Sequence, residues 1–166
     1  WCGLPESTLE GEIDTIKKLL ALKPSDLRIY PVYVIEPSKL YDMYKEGTYL
    51  PLDVKEAVKR VYHVLNECKK TNVRVIRIGL QSTSEITENN TNIAGPVCDN
   101  FAEYVLSKMV LDEIERQISK YILPETKYIE LVIPSRYTSI VVGPKKVSKN
   151  YIESKYNVKV RIKGEL

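Results

Sequence analysis

Val73-Arg-Val-Ile-Arg-Ile-Gly-Leu-Gln-Ser-Thr83 is the stretch on which the fold turns. Val73, Val75, Ile76, Ile78 and Leu80 are strand formers, and the run stops at the polar Gln81-Ser82-Thr83. Arg74 and Arg77 interrupt it; their stems can cover apolar surface while their heads reach water or an acceptor. Gly79 marks either a plain strand end or a close approach of backbone. A strand that follows a long helix and ends in polar groups is the arrangement in which parallel α/β folds build their sites.

Upstream, Asp53 and Glu56 form a capping box, with Leu52 and Ala57 placed as a hydrophobic staple. The helix they open carries Val54, Ala57, Val58, Val61, Leu65 and Cys68 on one face and delivers the chain to Val73. Before it, a short helix around 38–46 stops at Gly47, and 27–35 reads as a strand in which Pro31 marks an end or a bulge. Earlier still, Thr8 caps a helix with Leu9, Ile13, Ile16 and Leu20 on its stripe, ended by Pro24; Trp1 to Pro5 reads as the end of a strand. Strand end, helix, strand, helices, strand predicts parallel pairing. Two and a half βα units cannot close a barrel, so the chain is expected to be a piece of something longer, leaning on a missing N-terminal half.

Downstream, 84–99 is loop by composition and the expected boundary. Asn100 with Glu103 then caps a long helix to about Tyr121, with Phe101, Val105, Leu111, Ile114, Ile118 and Tyr121 on its face. The tail reads as strand (128–134), short helix (136–142), a turn Gly143-Pro-Lys-Lys146, a second helix bearing Val147, Tyr151 and Ile152, an αL cap at Asn157 and an alternating strand Val158-Lys-Val-Arg-Ile162.

The 166 residues are 43% hydrophobic and 28% charged, with no apolar run near the roughly 20 residues a membrane helix needs. No membrane partner is expected, and a cytoplasmic location is. The net charge of +3 is uneven: 143–166 carry seven basic residues against two acidic, a net of +5, which leaves −2 on the rest. A basic tail on a slightly acidic body suggests a phosphate-bearing partner, the bland alternative being a solvated face. Cys2, Cys68 and Cys98 lie far apart without metal-ligand spacing; Cys68 belongs to a core face, and Cys98, in a loop, is the thiol open to reaction. His63 has no second histidine to pair with as a ligand.

The tail's β-α-turn-α-β order resembles the K-homology (KH) RNA-binding core. That family's turn is G-x-x-G; here Gly143 matches and Lys146 stands at the second glycine, so Lys145 and Lys146 are expected to meet phosphates as point charges. Gly143, Lys145, Lys146 and Lys149 are the candidate nucleic-acid contacts.

Gly3-Leu4-Pro5-Glu6-Ser7-Thr8 resembles the G-L-P-G-x-T turn of radical S-adenosylmethionine (SAM) proteins of the anaerobic coproporphyrinogen oxidase and Elongator catalytic-subunit kind, with Glu6 replacing the second glycine. Arg28-Ile-Tyr-Pro31, Leu40-Tyr41, Gly47-Thr-Tyr49, Pro51-Leu52 and Glu56-Ala57-Val58 are similar to that group's next strand and helices. Val75 to Thr83 resembles its R-I-G-L-Q-x-T block, and Ala94-Gly95-Pro96 with Phe101 and Glu103 its A-G-P…F-x-E stretch, though Cys98-Asp99 replace a histidine-proline pair.

The resemblance implies an α/β fold: the last strands and helices of a partial (β/α) radical SAM barrel at 1–83, a linker at 84–99, and an α+β KH-like C-terminal segment at 100–166. It implies that Gly3, Leu4, Pro5, Ile29, Tyr30 and Pro31 line the nucleoside side of the SAM pocket, and that Arg77 and Gln81 face the substrate. The family's C-x-x-x-C-x-x-C triplet does not occur. No catalytic residue, metal ligand or cofactor is therefore expected in this chain, while the intact protein would hold a 4Fe-4S cluster and S-adenosylmethionine. The expected function is the C-terminal portion of a radical SAM iron-sulfur enzyme acting on RNA, tRNA included, and inactive alone. The alternative is a KH-like RNA-binding or structural module without catalysis.

Overall fold

A computed structural model describes residues 1–80, 86 and 92–165. They form two compact units, Trp1–Ala102 and Glu103–Leu166.

In the first unit, helix α1 (Leu9–Ala21) starts at Thr8, whose hydroxyl accepts from the Gly11 amide as the sequence predicts. Strand β1 (Asp26–Ile29) follows, then β2 (Val34–Ile35), helix α2 (Lys39–Lys45), helix α3 (Val54–Lys69), strand β3 (Arg74–Ile78) and β4 (Ile93–Ala94). Ser38 caps α2, and Gly47 beyond its end takes φ 76°. Asp53 caps α3 by accepting from the Glu56 amide. The reciprocal half of the capping box gives way to charge: the Glu56 carboxylate meets Lys59 and Arg60 one turn on, and their hydrogen bonds, Lys59's first, hold it below the usual carboxylate range.

β1 pairs with β3 in parallel, as the crossover through two helices requires, and Cys2 makes a parallel bridge to Pro31. Pro31 ends the strand: β1 stops at Ile29, and the chain turns into β2, which pairs antiparallel with β4. Ile93–Ala94 is thus strand inside a stretch expected to be loop. Gly79 follows β3 with φ 72°, and a Cβ there would lie 3.0 Å from a ring carbon of Phe101; it is both a strand end and a close approach. Ala57, Val61, Leu65 and Cys68 of α3 are buried, with Ile16 and Leu20 of α1 and Ile29 of β1.

The second unit holds most of helix α4 (Phe101–Ile118), strand β5 (Tyr128–Pro134), helix α5 (Thr138–Val142), helix α6 (Val147–Tyr156) and strand β6 (Lys159–Glu165). Ile152, Val158 and Val160 are its buried centre, packed by Leu111, Ile114, Ile118, Ile122, Ile129, Leu131, Tyr156 and Ile162. α4 stops at Ile118; Tyr121, expected on its face, is 79% exposed, and Ile122 packs instead. β5 and β6 pair in parallel across the two short helices, from Tyr128 opposite Lys159 to Pro134 opposite Glu165. Asn157 takes the αL conformation (φ 52°, ψ 45°) that closes α6. No described helix is long and apolar enough to cross a membrane.

Candidate functional site

Two places gather the residues singled out from the sequence, one in each unit. The first is the turn Gly3–Ser7 with the open face of the β1–β3 pair. Gly3 takes φ 92°, and a Cβ on it would lie 2.7 Å from Leu52 Cδ1, so glycine is required. Its amide donates to Glu12 Oε1 (2.6 Å), and its carbonyl accepts from the Tyr49 hydroxyl (2.5 Å). The Ser7 hydroxyl donates to the same Glu12 oxygen (3.0 Å). Arg60, from α3, places Nη1 3.1 Å from Glu12 Oε1 and 3.1 Å from the Ser7 carbonyl.

This pair is nearly dry: the Glu12 side chain is 6% exposed and that of Arg60 14%. Burial works against the Arg60 charge, but Glu12 and Glu56 overcome it and hold its pKa above the ordinary value. Burial, aided by the Glu12 charge, pushes the Cys2 thiol up to about 12. Neither Glu12 nor Arg60 stood out in the sequence, because Glu12 lies beside the apolar stripe of α1 and reads as a surface acid.

Of the six residues assigned to the cofactor's nucleoside side, Gly3, Ile29 and Pro31 are buried, while Leu4, Pro5 and Tyr30 keep accessible surface. Strand alternation puts Arg28 and Tyr30 on the opposite face from buried Ile29. The Tyr30 ring meets that of Trp1, centroids 5.0 Å apart and planes 37° from parallel. Arg77 stands beside Arg28 in the parallel register, and both side chains are exposed. Arg74, by contrast, reaches Asp26 (2.7 Å). Gln81 lies outside the described residues. A groove of about 370 Å³ runs along β1 and α1, with Trp1, Leu27 and Arg28 in its walls.

The second place is the turn 143–146. Gly143 takes φ 79°, ψ 157°, and a Cβ there would meet Ser148 Oγ at 2.8 Å. Lys145 and Lys146 both have left-handed backbone (φ 53° and 61°), a conformation that costs a non-glycine residue about 1–2 kcal/mol. Lys146 thus keeps the backbone that a second glycine would adopt without strain. Both side chains are exposed; Lys149, in the first turn of α6, is half-buried. The amides at the start of that ten-residue helix and the three lysines give one end of this unit a positive potential.

Comparison with known proteins adds two findings. The family described as the Radical_SAM C-terminal domain matches residues 24–110. A tRNA uridine(34) acetyltransferase of Methanocaldococcus jannaschii is 34% identical over 79 residues, which are 46% of this chain and 14% of that protein. No solved structure matches the chain.

Proposed function

Since this chain belongs to the family of radical SAM C-terminal domains, we propose that it is the C-terminal portion of a radical SAM iron-sulfur enzyme acting on RNA, with a KH-like last unit that holds the RNA. The observation that carries the reading is the shared 79-residue segment with a protein named for a tRNA uridine. The basic β-α-turn-α-β order of the second unit supports the same substrate class.

The four-iron cluster does not fit the cysteines present. Cys2, Cys68 and Cys98 stand 66 and 30 positions apart, without the C-x-x-x-C-x-x-C spacing that gathers three thiolates on one cluster. The cluster would be held by an upstream part of the protein. S-adenosylmethionine fits better: Leu4, Pro5 and Tyr30 offer it apolar and aromatic surface, and the Glu12–Arg60 network fixes the turn behind them. When bound in the intact enzyme, cluster and cofactor together supply hydrogen-abstraction chemistry. The residues of this chain bind and orient. An upstream strand entering through Trp1-Cys2 would continue the parallel bridge to Pro31 and lie along Leu27–Ile29, in the 370 Å³ groove.

In the second unit, Lys145, Lys146 and Lys149 contact phosphates. With about 0.7 counterions released per phosphate on single strands, K145E/K146E lowers the slope of log affinity against log salt by about 1.4. The measurement is anisotropy of a labelled single-stranded RNA titrated with the 166-residue chain from 50 to 200 mM salt. An unchanged slope removes the turn from the interface.

A further inference from the structure

We propose that the outer face of the β5–β6 pair is a second RNA-binding surface of the last unit, one that lays an unpaired strand along Lys159, Arg161 and Lys163 and stacks a base on Tyr128. The proposal rests on the reading of RNA as substrate and adds a surface that the turn 143–146 does not include.

Strand alternation sorts β6 into two faces. Val160 and Ile162 pack into the core of the unit, so Lys159, Arg161 and Lys163 leave the opposite face, and all three are exposed. The parallel register sets Tyr128 opposite Lys159, Glu130 opposite Arg161 and Val132 opposite Lys163, and these three are exposed on the same face. Of the seven basic residues in 143–166, Lys145, Lys146 and Lys149 belong to the turn, and the Lys155 ammonium is held by Glu115 at 2.7 Å. The remaining three are the row on β6. Their internal partners are poor. Arg161 Nε stands 3.7 Å from Glu130 and Lys163 Nζ 3.9 Å from Glu165, exposed pairs of the kind that contribute little, and among the described residues no carboxylate forms an ion pair with Lys159.

Charged residues on an open strand can serve simply to keep other strands away. That purpose accounts for the cations but not for their neighbours: Tyr128 is 53% exposed and Val132 50%, apolar surface that such protection would avoid. A face that is cationic along one strand and apolar along the next fits a ligand with an anionic edge and flat apolar plates. Successive cations lie about 6.7 Å apart, two strand residues on, and so can follow the phosphates of an extended chain. The Tyr128 ring offers a base its face, which is free in unpaired RNA and covered in a duplex. Charge and ring together specify a single-stranded nucleic acid.

The experiment titrates a labelled ten-nucleotide oligouridylate with the 166-residue chain in the K145E/K146E background, where the turn is silent, and follows anisotropy from 50 to 200 mM salt. The expected result is residual binding whose slope of log affinity against log salt falls by about 1.4 in K159Q/K163Q. Tyr128→Leu weakens this binding at least about fivefold, the worth of one stacked base, while Tyr128→Phe keeps the parent affinity. Circular dichroism melting establishes that each variant is folded at the assay temperature. An unchanged slope, or equal affinity in Tyr128→Leu, overturns the surface and leaves the turn standing. So does loss of all binding in K145E/K146E when the unsubstituted chain binds, and so does displacement of the RNA by polyglutamate at equal charge concentration, which would mark a generic cation row. Absence of RNA binding to the unsubstituted chain overturns both this surface and the proposed function.

Discussion

Replacing Arg60 by Met removes the guanidinium while keeping most of the stem's volume. Glu12 then holds a carboxylate that is 6% exposed, facing the neutral Gly3 amide, Ser7 hydroxyl and Cys2 thiol. Leaving one member of a buried ion pair without its partner costs about 3–5 kcal/mol, and three further Arg60 contacts, to Ser7 and Glu56, are lost with it. Replacing Glu12 by Met as well removes the stranded charge, so R60M/E12M recovers about half of the loss. What remains is about 1–3 kcal/mol for the Gly3 amide left without its acceptor. The assay is urea unfolding followed by Trp1 fluorescence, which reports the first unit, for the parent, both single variants and the double. The coupling energy of the cycle is expected at about 3 kcal/mol. A cost below about 1 kcal/mol for R60M, or a coupling near zero, would refute the reasoning: the turn would then be held by backbone alone.

Lys146→Gly relieves a left-handed lysine, so the second unit gains about 1 kcal/mol by chemical denaturation followed by tyrosine fluorescence, while the salt slope of RNA binding drops by about 0.7. Loss of stability would show the αL backbone to be no burden. Alkali acts on the first unit through Cys2. Its folded pKa of about 12 lies above the ordinary value of 9.0, so the fold favours the protonated thiol. That stabilisation is whole below pH 9 and is lost between pH 9 and 12, by at most roughly 1.4 kcal/mol per pH unit. The difference in urea midpoint between the parent and Cys2→Ala narrows or inverts as pH rises from 8 to 11; two parallel curves would contradict it.

What could be read in the sequence is what a few neighbouring residues decide. Thr8, Asp53, Gly47 and Asn157 each act within one helical turn of their own position, and all four do what their chemistry announces. The strand expected within 73–80 was equally plain, because its apolar run sits between a helix and a polar stop, and β3 forms over Arg74–Ile78. The bolt behind the Gly3–Ser7 turn was not readable. Glu12 is called inward by donors 9, 5 and 48 positions away, and no periodicity records that. Nor was β4, whose two residues are strand only because Val34 and Ile35 lie opposite. Arg28 was passed over for a related reason: alone it is an ordinary strand arginine, and it becomes unusual only when the register places Arg77 beside it.

Three features of this chain break local rules: a buried carboxylate, a charged side chain on left-handed backbone, and two adjacent arginines on an open sheet face. Such breaks concentrate where a fold serves something beyond its own stability, unless the fold itself offsets them. That condition separates the three. One oxygen of the Glu12 carboxylate, Oε1, is met by an amide, a hydroxyl and a guanidinium, so part of its cost is returned inside the chain and its work is to hold a turn, while Oε2 is buried without a hydrogen-bond partner. Lys146 and the Arg28–Arg77 pair show no such return among the described residues, since the lysine's side chain is exposed and no described carboxylate forms an ion pair with either arginine. Both uncompensated features are cationic, and they lie in different units.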